Sequence, residues 1–381
     1  MKRWLKAKKG EVMASNTSKK PFDFLLFMTV LILLCLGTIM VFSAGAPHAS
    51  NNMGDTYYFI KKQLMFLPLA FLAMFVTMNI DYRTLGKWSP VFLVGSIVLL
   101  IFVLLFGTVV KGARRWIYIG PLNFQPSEIA KLSVILFFSY SLSKRKNELN
   151  SFFKGFLPYL LILGIFGVLL LLEPHLSSTI VIFGVACIIL FAAGAKISHF
   201  MLLAVPAIPG LVALIIFSPY RLRRLVSFLD PFKDMQGDGY QVVQSLYAIG
   251  SGGLFGRGLG KSMQKFLYIP EPYNDFIFSI LAEEMGFIGV VAVLLLFLVF
   301  IWRGVKIAVN APDVFGSLVA IGITSLVAIQ VIINVAVVTS SMPVTGMPLP
   351  LFSHGGTSLV FLMSGIGILL NISRYANYDR I

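Results

Sequence analysis

The sequence predicts an all-α membrane protein with ten transmembrane helices and one long extracellular loop, and three observations support this. Of 381 residues, 57% are hydrophobic and only 12% are charged, whereas about a quarter of the residues in soluble domains are charged. The mean hydropathy is +0.88. The apolar residues form continuous runs, not the alternating strands of a transmembrane barrel. Soluble globular, disordered, coiled-coil and collagen-like chains are therefore excluded.

Ten apolar runs have roughly the length of a membrane-spanning helix. They cover residues 22–44, 58–80, 89–110, 127–143, 156–172, 176–194, 199–217, 276–302, 314–339 and 351–373. The fifth and sixth runs are separated by Glu173-Pro174-His175, which predicts a sharp turn because proline has no backbone N–H. We expect one transmembrane domain over 22–373, flanked by tails at 1–21 and 374–381. The first run lacks a clear cleavage site, so it is interpreted as a retained helix.

The distribution of Lys and Arg predicts that both termini are cytoplasmic. With the N-terminus inside, eighteen of these residues lie inside, twelve lie outside and Lys131 lies within a span, as the positive-inside rule requires. The net charge of +15 is therefore explained by orientation and contact with membrane lipid, and no nucleic-acid partner is expected. Seven outer cations lie in the long loop 218–275, which we expect to form amphipathic turns interrupted by glycines.

The acidic candidates lie around the start of the eighth run. The segment Ile269–Phe276 places Glu271 and Asp275 at the outer membrane edge, where partial desolvation raises the pKa of a carboxylate and favours a general base. The alternative is that Asp275 or its neighbour caps the helix. Glu283 and Glu284 are functional candidates because acids inside a membrane are costly. They could instead form a structural pair with a basic residue of a neighbouring helix.

Basic residues on the outer side are candidates for binding phosphate or pyrophosphate, which suits the guanidinium fork of arginine. They are Arg114 and Arg115 with the adjacent Lys111, then Lys131, and finally Arg257, Lys261 and Lys265, which would be about a helical turn apart if that stretch is helical. The alternatives are snorkelling of single side chains and an i,i+3 pair between Glu128 and Lys131. The glycine-rich stretch around Arg257 is not interpreted as a nucleotide site, because its spacing and context do not fit.

The segment Met342–Ser358 contains three prolines and three glycines and cannot form a regular helix. Irregular backbone at membrane depth must be buried in protein or line a cavity, so Ser353 and His354 are candidates for contacting a substrate. A rigid external turn is the alternative. The two cysteines, Cys35 and Cys187, lie in apolar runs, and no cluster of His, Cys and carboxylates has the spacing of a metal site.

These motifs together resemble the SEDS family (shape, elongation, division, sporulation). The resemblance covers the chain after Lys20 and rests on Gly112–Ile117, Gln125–Glu128 with Lys131, Pro270–Phe278, Glu283-Glu284 and Pro350–Ser358. The form of Gly258–Lys265 is more similar to the FtsW division and sporulation branch than to the RodA elongation branch. The sequence departs from the family pattern at Tyr273 and Asn274, and at His175 and Ser177.

The resemblance implies a peptidoglycan glycosyltransferase that polymerises lipid II on the outer face of the bacterial cytoplasmic membrane. It implies a class B penicillin-binding protein as partner, together with divisome proteins in the division branch. The essential acid of the family maps onto Asp275, which would take the proton of the acceptor sugar 4-hydroxyl. Arg115, Lys131, Arg257 and Lys261 would stabilise the leaving undecaprenyl pyrophosphate, with Mg²⁺ or Mn²⁺ as a candidate cofactor. A lipid II flippase and a non-catalytic scaffold are the alternatives.

Overall fold

A computed structural model describes residues 20–110, 112–119, 122–237 and 239–377. Within these residues the chain forms α-helices joined by short connections, with one small antiparallel sheet. In chain order the helices are α1 (Phe24–Met53), α2 (Tyr58–Asn79), α3 (Tyr82–Phe106), α4 (Pro126–Lys144), α5 (Leu157–Leu172), α6 (Leu176–Ala192), α7 (Ile197–Ile216), α8 (Pro219–Leu229), α9 (Tyr240–Gly252), α10 (Ile277–Val309), α11 (Val314–Val338) and α12 (Thr357–Ser373). A 3₁₀ turn (Lys146–Asn150) and a π-helical turn (Phe152–Phe156) precede α5.

The helices define a multi-pass membrane protein. Six helical segments of the described chain are long and apolar enough to cross a bilayer, namely α1, α2, α3, Phe152–Leu172, α10 and α11. Shorter apolar helices are α6, the first half of α7, and α12. The predicted bounds of several runs agree closely with helices, for example 314–339 with Val314–Val338. The count of ten spans and the direction of the termini stay predictions.

Three predicted features differ from the structure. The outer connection after α3 is a three-stranded sheet of β1 (Thr108–Val110), β2 (Ala113–Ile119) and β3 (Leu122–Phe124), which an all-α prediction does not contain. The loop 218–275 contains the helices α8 and α9, and α9 continues through its glycines to Gly252. The last predicted span starts too early, because residues 351–356 are irregular and α12 begins only at Thr357.

Close backbone contacts hold the irregular segment 342–356 inside the helix bundle. A Cβ atom at Gly37 of α1 would lie 2.2 Å from the carbonyl oxygen of Leu351, so the absence of a side chain there lets this segment pack directly on α1. Leu349, Leu351 and Phe352 are buried. The segment is therefore part of the core, as irregular backbone at membrane depth requires, and it is not an external turn.

The two ends of the bundle have different chemistry. At the end that carries Asp275, here called the Asp275 side, lie the sheet, the α5–α6 turn, α8, α9 and the segment 342–356. The opposite side carries a buried ion pair between Asp23, which precedes α1, and Arg303 near the end of α10. There Asp313 caps α11 and also accepts a 2.5 Å hydrogen bond from the Tyr82 hydroxyl. These contacts fix the ends of α1, α3, α10 and α11 relative to one another.

Candidate active site

Asp275 lies in the turn that leads into α10 and is half-buried. α10 begins at Ile277, and its N-cap residue is Phe276, which makes no side-chain cap. The preceding turn is closed by a 3.0 Å hydrogen bond from the Asn274 amide to the Glu271 carbonyl, and Glu271 has a positive φ of 49°. Asp275 therefore projects from a tight turn whose shape is fixed just before the helix.

Asn334 of α11 holds the backbone of Asp275 in place. Its side-chain Nδ2 donates to the carbonyl oxygen of Asp275 at 2.8 Å and to that of Met347 at 2.7 Å. Asn334 is buried, and buried amide donors that satisfy two carbonyls are costly to remove. One side chain thus joins α11, the turn before α10 and the segment 342–356. The sequence analysis missed this residue, because an asparagine within an apolar run carries no spacing signal.

Ser353 and His354 hold the residues directly before Asp275. The Ser353 hydroxyl donates to the Asn274 carbonyl at 2.7 Å, and the His354 amide donates to the Tyr273 carbonyl at 3.1 Å. The His354 ring packs against Phe59 and Tyr273. Burial, aided by the charge of Lys62, lowers the pKa of the His354 imidazole to about 4, so the ring is neutral at neutral pH. These two candidates support the Asp275 turn by direct contact.

Gly346 borders the Asp275 carboxylate. A Cβ atom at this glycine would lie 3.3 Å from Asp275 Oδ2, and its φ of 71° lies in the left-handed region. The neighbouring Thr345 carbonyl accepts a hydrogen bond from the Ser177 hydroxyl at the start of α6. The segment 342–356 therefore connects the Asp275 carboxylate with the α5–α6 turn. The polar groups of three separate regions of sequence converge on this side of the bundle.

A small cavity of about 40 Å³ lies on the same side of the bundle, between α4, α11, α12 and the segment 342–356, and Asp275 is not among its lining residues. Ser353 forms part of its wall, and so do Gln330 and the ion pair of Glu128 with Lys131. The Lys131 Nζ lies 2.7 Å from Glu128 Oε1, and the Lys131 side chain is only 4% exposed. The i,i+3 pair that was the alternative for Lys131 is present, and it places one cation and one anion on the cavity wall.

A buried acid and an arginine lie at the α5–α6 turn. Arg115 of β2 donates from Nε to the Glu173 carbonyl at 3.0 Å and from Nη2 to the Pro174 carbonyl. The Glu173 carboxylate is 1% exposed, and neither of its oxygens has a hydrogen-bond partner within the described chain. Burial, opposed by the charge of Arg115, raises the pKa of Glu173 to about 8. Sequence reasoning noted Glu173 only as a turn residue, although an acid between two apolar runs is itself a signal.

His175 follows in the same turn and is buried. Its ring lies 3.1 Å from the Ser178 hydroxyl and 3.5 Å from the Gln125 side-chain amide. Burial and the charges of Arg115 and Lys131 lower the pKa of the imidazole well below its usual value. A neutral ring therefore stands at one of the positions where the sequence departs from the family pattern.

Glu283 and Glu284 are fully buried and bind groups of the protein itself. Glu283 accepts hydrogen bonds from the Ser262 hydroxyl at 2.5 Å and from the Met263 and Gln264 amides at 2.9 and 3.2 Å. Arg257 lies 3.6 Å from the same carboxylate. This arrangement fits the structural alternative, except that the partners come from the preceding loop and not from a neighbouring helix.

Glu284 belongs to a second buried group. Its Oε1 accepts from the Ser43 hydroxyl of α1 at 2.6 Å and from Lys265 Nζ at 3.0 Å. Lys265 also donates to Ser43 Oγ at 3.1 Å and to the Gly260 carbonyl at 2.7 Å. The loop residues 253–276 are thereby fastened to α1 and α10 through buried charges.

The remaining basic candidates are distributed more widely. Residues 253–276 form turns and no helix, so the expected helical spacing of Arg257, Lys261 and Lys265 is wrong. Lys261 is exposed, whereas Lys265 is buried. Arg114 is exposed, and its Nη1 donates to the Leu104 carbonyl at 3.3 Å near the end of α3. Lys111, residues 1–19 and residues 378–381 lie outside the described part of the chain.

A protein cage for a metal ion is not present among the described residues, where no group of three or more His, Cys, Asp or Glu side chains could hold one. Mg²⁺ is commonly bound by one or two carboxylates together with substrate phosphates. Glu271 and Asp275, four residues apart at the same turn, are the carboxylates that fit this second mode.

The fold and this site define a class: multi-pass helical membrane proteins with a half-buried carboxylate in a fixed turn at one end of the helix bundle. Residues 23–378 match the FtsW/RodA/SpoVE family, described as cell cycle proteins. The chain belongs to this family, and the resemblance drawn from the motifs is confirmed.

Its relatives match over nearly their full length. The chain is 46% identical over 365 residues to Stage V sporulation protein E of Bacillus subtilis (strain 168), covering 95% of this chain and 100% of the relative. It is 41% identical to the probable peptidoglycan glycosyltransferase FtsW of Geobacter sp. (strain M18), covering 92% and 96%.

Solved structures agree with the sequence relatives. A chain in a peptidoglycan synthase complex, whose structure concerns the coordination of polymerization and crosslinking, matches with a TM-score of 0.77 at 31% identity, covering 93% of this chain and 98% of that one. The rod shape determining protein RodA of Thermus thermophilus matches with a TM-score of 0.68 at 29% identity, covering 93% and 97%.

Proposed function

We propose that this chain is a peptidoglycan glycosyltransferase that polymerises lipid II into glycan strands, in cell division or sporulation. The relatives named Stage V sporulation protein E and FtsW, at 46% and 41% identity, support this activity and this branch. The observation that carries the mechanism is the Asp275 turn, which Asn334 and Ser353 hold in place. Ser353 also lines the cavity that contains the Glu128–Lys131 ion pair.

Asp275 acts as the general base. It removes the proton from the acceptor sugar 4-hydroxyl while that oxygen forms a bond to the donor anomeric carbon. The bond between this carbon and the pyrophosphate oxygen breaks, and undecaprenyl pyrophosphate leaves with the electron pair. A fixed turn favours this role because a general base must lie within hydrogen-bond reach of the proton that it takes.

Cations on the Asp275 side stabilise the charge that develops on the leaving pyrophosphate. Exposed Arg114 and Lys261 and partly exposed Arg257 are the candidates with the freest access to a substrate. Arg115 and Lys131 lie deeper and would act from the wall of the site. We expect Mg²⁺ or Mn²⁺, where used, to be carried by the pyrophosphate and to meet the protein at Asp275 or Glu271.

The Asp275 side faces the cell exterior, and both termini are cytoplasmic. The excess of Lys and Arg on the opposite side supports this orientation. The partner is a class B penicillin-binding protein, joined in division by divisome proteins. The match to a chain of a peptidoglycan synthase complex supports an assembly of polymerase and transpeptidase.

The test is polymerisation of labelled lipid II by the purified chain with its transpeptidase. Asp275→Asn is expected to lower the rate about 100- to 10,000-fold, the usual contribution of a general base. Asp230→Asn, at an exposed acid of the same external region, is the matched control and keeps the rate. Lipid II movement across vesicles that survives Asp275→Asn, with no polymer from the wild type, would instead identify a flippase. Partner binding without polymer or lipid movement would identify a scaffold.

A further inference from the structure

We propose a second binding site, specific for a phosphate group, on the side of the bundle opposite to Asp275. It is a cavity of about 130 Å³ between the C-terminal end of α4 and the start of α5. The polar residues of its lining are Ser141, Arg145, Glu148, Lys154 and Tyr159. The proposal does not depend on the activity assigned to Asp275, because the two sites lie at opposite ends of α4.

The cavity has room for a phosphate group. Its volume of about 130 Å³ is well above the roughly 10–15 Å³ that one water molecule needs on the same measure. A phosphate group has five heavy atoms and fits in this space. The cavity is partly open, so the rest of a phosphorylated ligand can extend out of it.

Two cations border the cavity. Lys154 lies in the π-helical turn Phe152–Phe156, and within the described chain no acidic side chain pairs with it. Arg145 has Glu148 at 4.0 Å, but both side chains are about half exposed or more, at 61% and 49%. Such an exposed pair is weak, so it leaves the guanidinium able to bind a phosphate through its fork.

A hydroxyl pair lies in the same lining. The Tyr159 and Ser141 hydroxyl oxygens are 2.8 Å apart, and Tyr159 is 5% exposed. Whichever hydroxyl donates to the other, one hydrogen of the pair stays available as a donor. The lining thus offers two positive charges, one carboxylate and a neutral donor. The Glu148 carboxylate is half exposed and only weakly paired with Arg145, so the lining keeps a net positive charge that suits a phosphate anion.

The surroundings place this cavity at the membrane boundary. Phe153 is 74% exposed beside Lys154, and the apolar helix α5 follows directly. An exposed aromatic residue next to a cation is typical of the membrane interface, where the ring contacts acyl chains and the cation contacts a lipid headgroup. The phosphate ester could therefore be that of an anionic phospholipid or a soluble phosphate, and the experiment separates these sources.

The experiment uses the full-length purified protein in detergent. Native mass spectrometry measures retained phosphatidylglycerol, and thermal unfolding measures the midpoint with and without inorganic phosphate. Arg145→Gln/Lys154→Gln is expected to lower retention at least tenfold, and Ser141→Ala is expected to lower it severalfold. The control Lys87→Gln/Lys196→Gln removes two exposed charges on the same side and keeps the wild-type values.

Phosphatidylglycerol retention that depends on the pocket residues assigns the site to a lipid headgroup. A midpoint raised by inorganic phosphate in the wild type and the control, but not in the pocket variant, assigns it to a soluble phosphate. Equal behaviour of the pocket and control variants towards both probes would overturn the proposal. Unfolding midpoints without ligand show whether the variants are folded. They should stay unchanged for Arg145→Gln/Lys154→Gln, whose side chains are exposed, and Ser141→Ala is compared at its own midpoint because Ser141 is half-buried and bonded to Tyr159.

Discussion

Replacement of Lys265 by methionine tests whether buried charges fasten the external loop to the bundle. The ammonium of Lys265 contacts Glu284 at 3.0 Å, Ser43 at 3.1 Å and the Gly260 carbonyl at 2.7 Å. The side chains of Lys265 and Glu284 are 5% and 0% exposed. Methionine keeps much of the volume but removes the charge, which leaves the Glu284 carboxylate buried without a cation.

Breaking a buried ion pair by removing one partner costs about 3–5 kcal/mol. We expect Lys265→Met to lower the free energy of unfolding by this amount, because the neutral donors that remain, the Ser43 hydroxyl and the Ser262 amide, do not compensate the buried carboxylate. Lys265→Met/Glu284→Gln removes both charges of this pair, so it is expected to be more stable than Lys265→Met despite carrying one more substitution. The positive coupling between the two sites is the specific signature of the pair.

The assay is unfolding of the purified protein in mixed micelles, followed by its tyrosine and tryptophan fluorescence. Lys261→Met, four residues earlier in the same loop, is the matched control, since Lys261 is exposed and its removal should change stability by less than about 0.5 kcal/mol. If Lys265→Met and Lys261→Met unfold alike, the buried pair does not fasten the loop.

Two further predictions concern backbone conformation and pH. Gly286 has a φ of 66°, and a Cβ atom there would lie 2.2 Å from the Gly256 nitrogen. Gly286→Ala should therefore lower the free energy of unfolding by at least about 1–3 kcal/mol. The control is Gly95→Ala in α3, which should not destabilise the protein because a Cβ atom there meets nothing within 4 Å. The pKa of His354 in the folded protein is about 4, below its unfolded value of about 6.5, so the folded state resists protonation. Its contribution to stability is complete above pH 6.5 and is lost as the pH falls to 4, by about 3 kcal/mol in all. Unfolding titrations across this range should show a shallower pH dependence for His354→Gln, and parallel curves would contradict the assignment.

The helices were predictable because continuous apolar runs report directly on membrane-spanning segments. The sheet after α3 was missed because β1 lies inside the predicted apolar run 89–110, although α3 ends at Phe106, and because β2 and β3 are short strands in the connection that follows. The start of α12 was predicted too early because Leu351 and Phe352 are as apolar as the residues of a membrane-spanning helix. The prolines before them and the glycines after them prevent a helix there.

The chemistry of the candidate site was only partly predictable. The position of Asp275 at the membrane edge followed from its place before an apolar run. The partners of Glu283 and Glu284 could not be predicted, because they depend on how a glycine-rich loop folds back on α10. Asn334 was missed for a similar reason. Its two acceptors are backbone carbonyls, which every residue has, so the sequence gives no sign of this contact.

The double hydrogen bond of Asn334 has a mechanical consequence. Moving the Asp275 turn away from Met347 must break at least one of the two hydrogen bonds that the Asn334 Nδ2 makes. Because both bonds share one rigid amide, widening by a fraction of an ångström is resisted, and larger displacement releases a carbonyl into an apolar interior. Substrate entry is therefore expected to leave this joint closed and to occur by movement of elements that Asn334 does not tether.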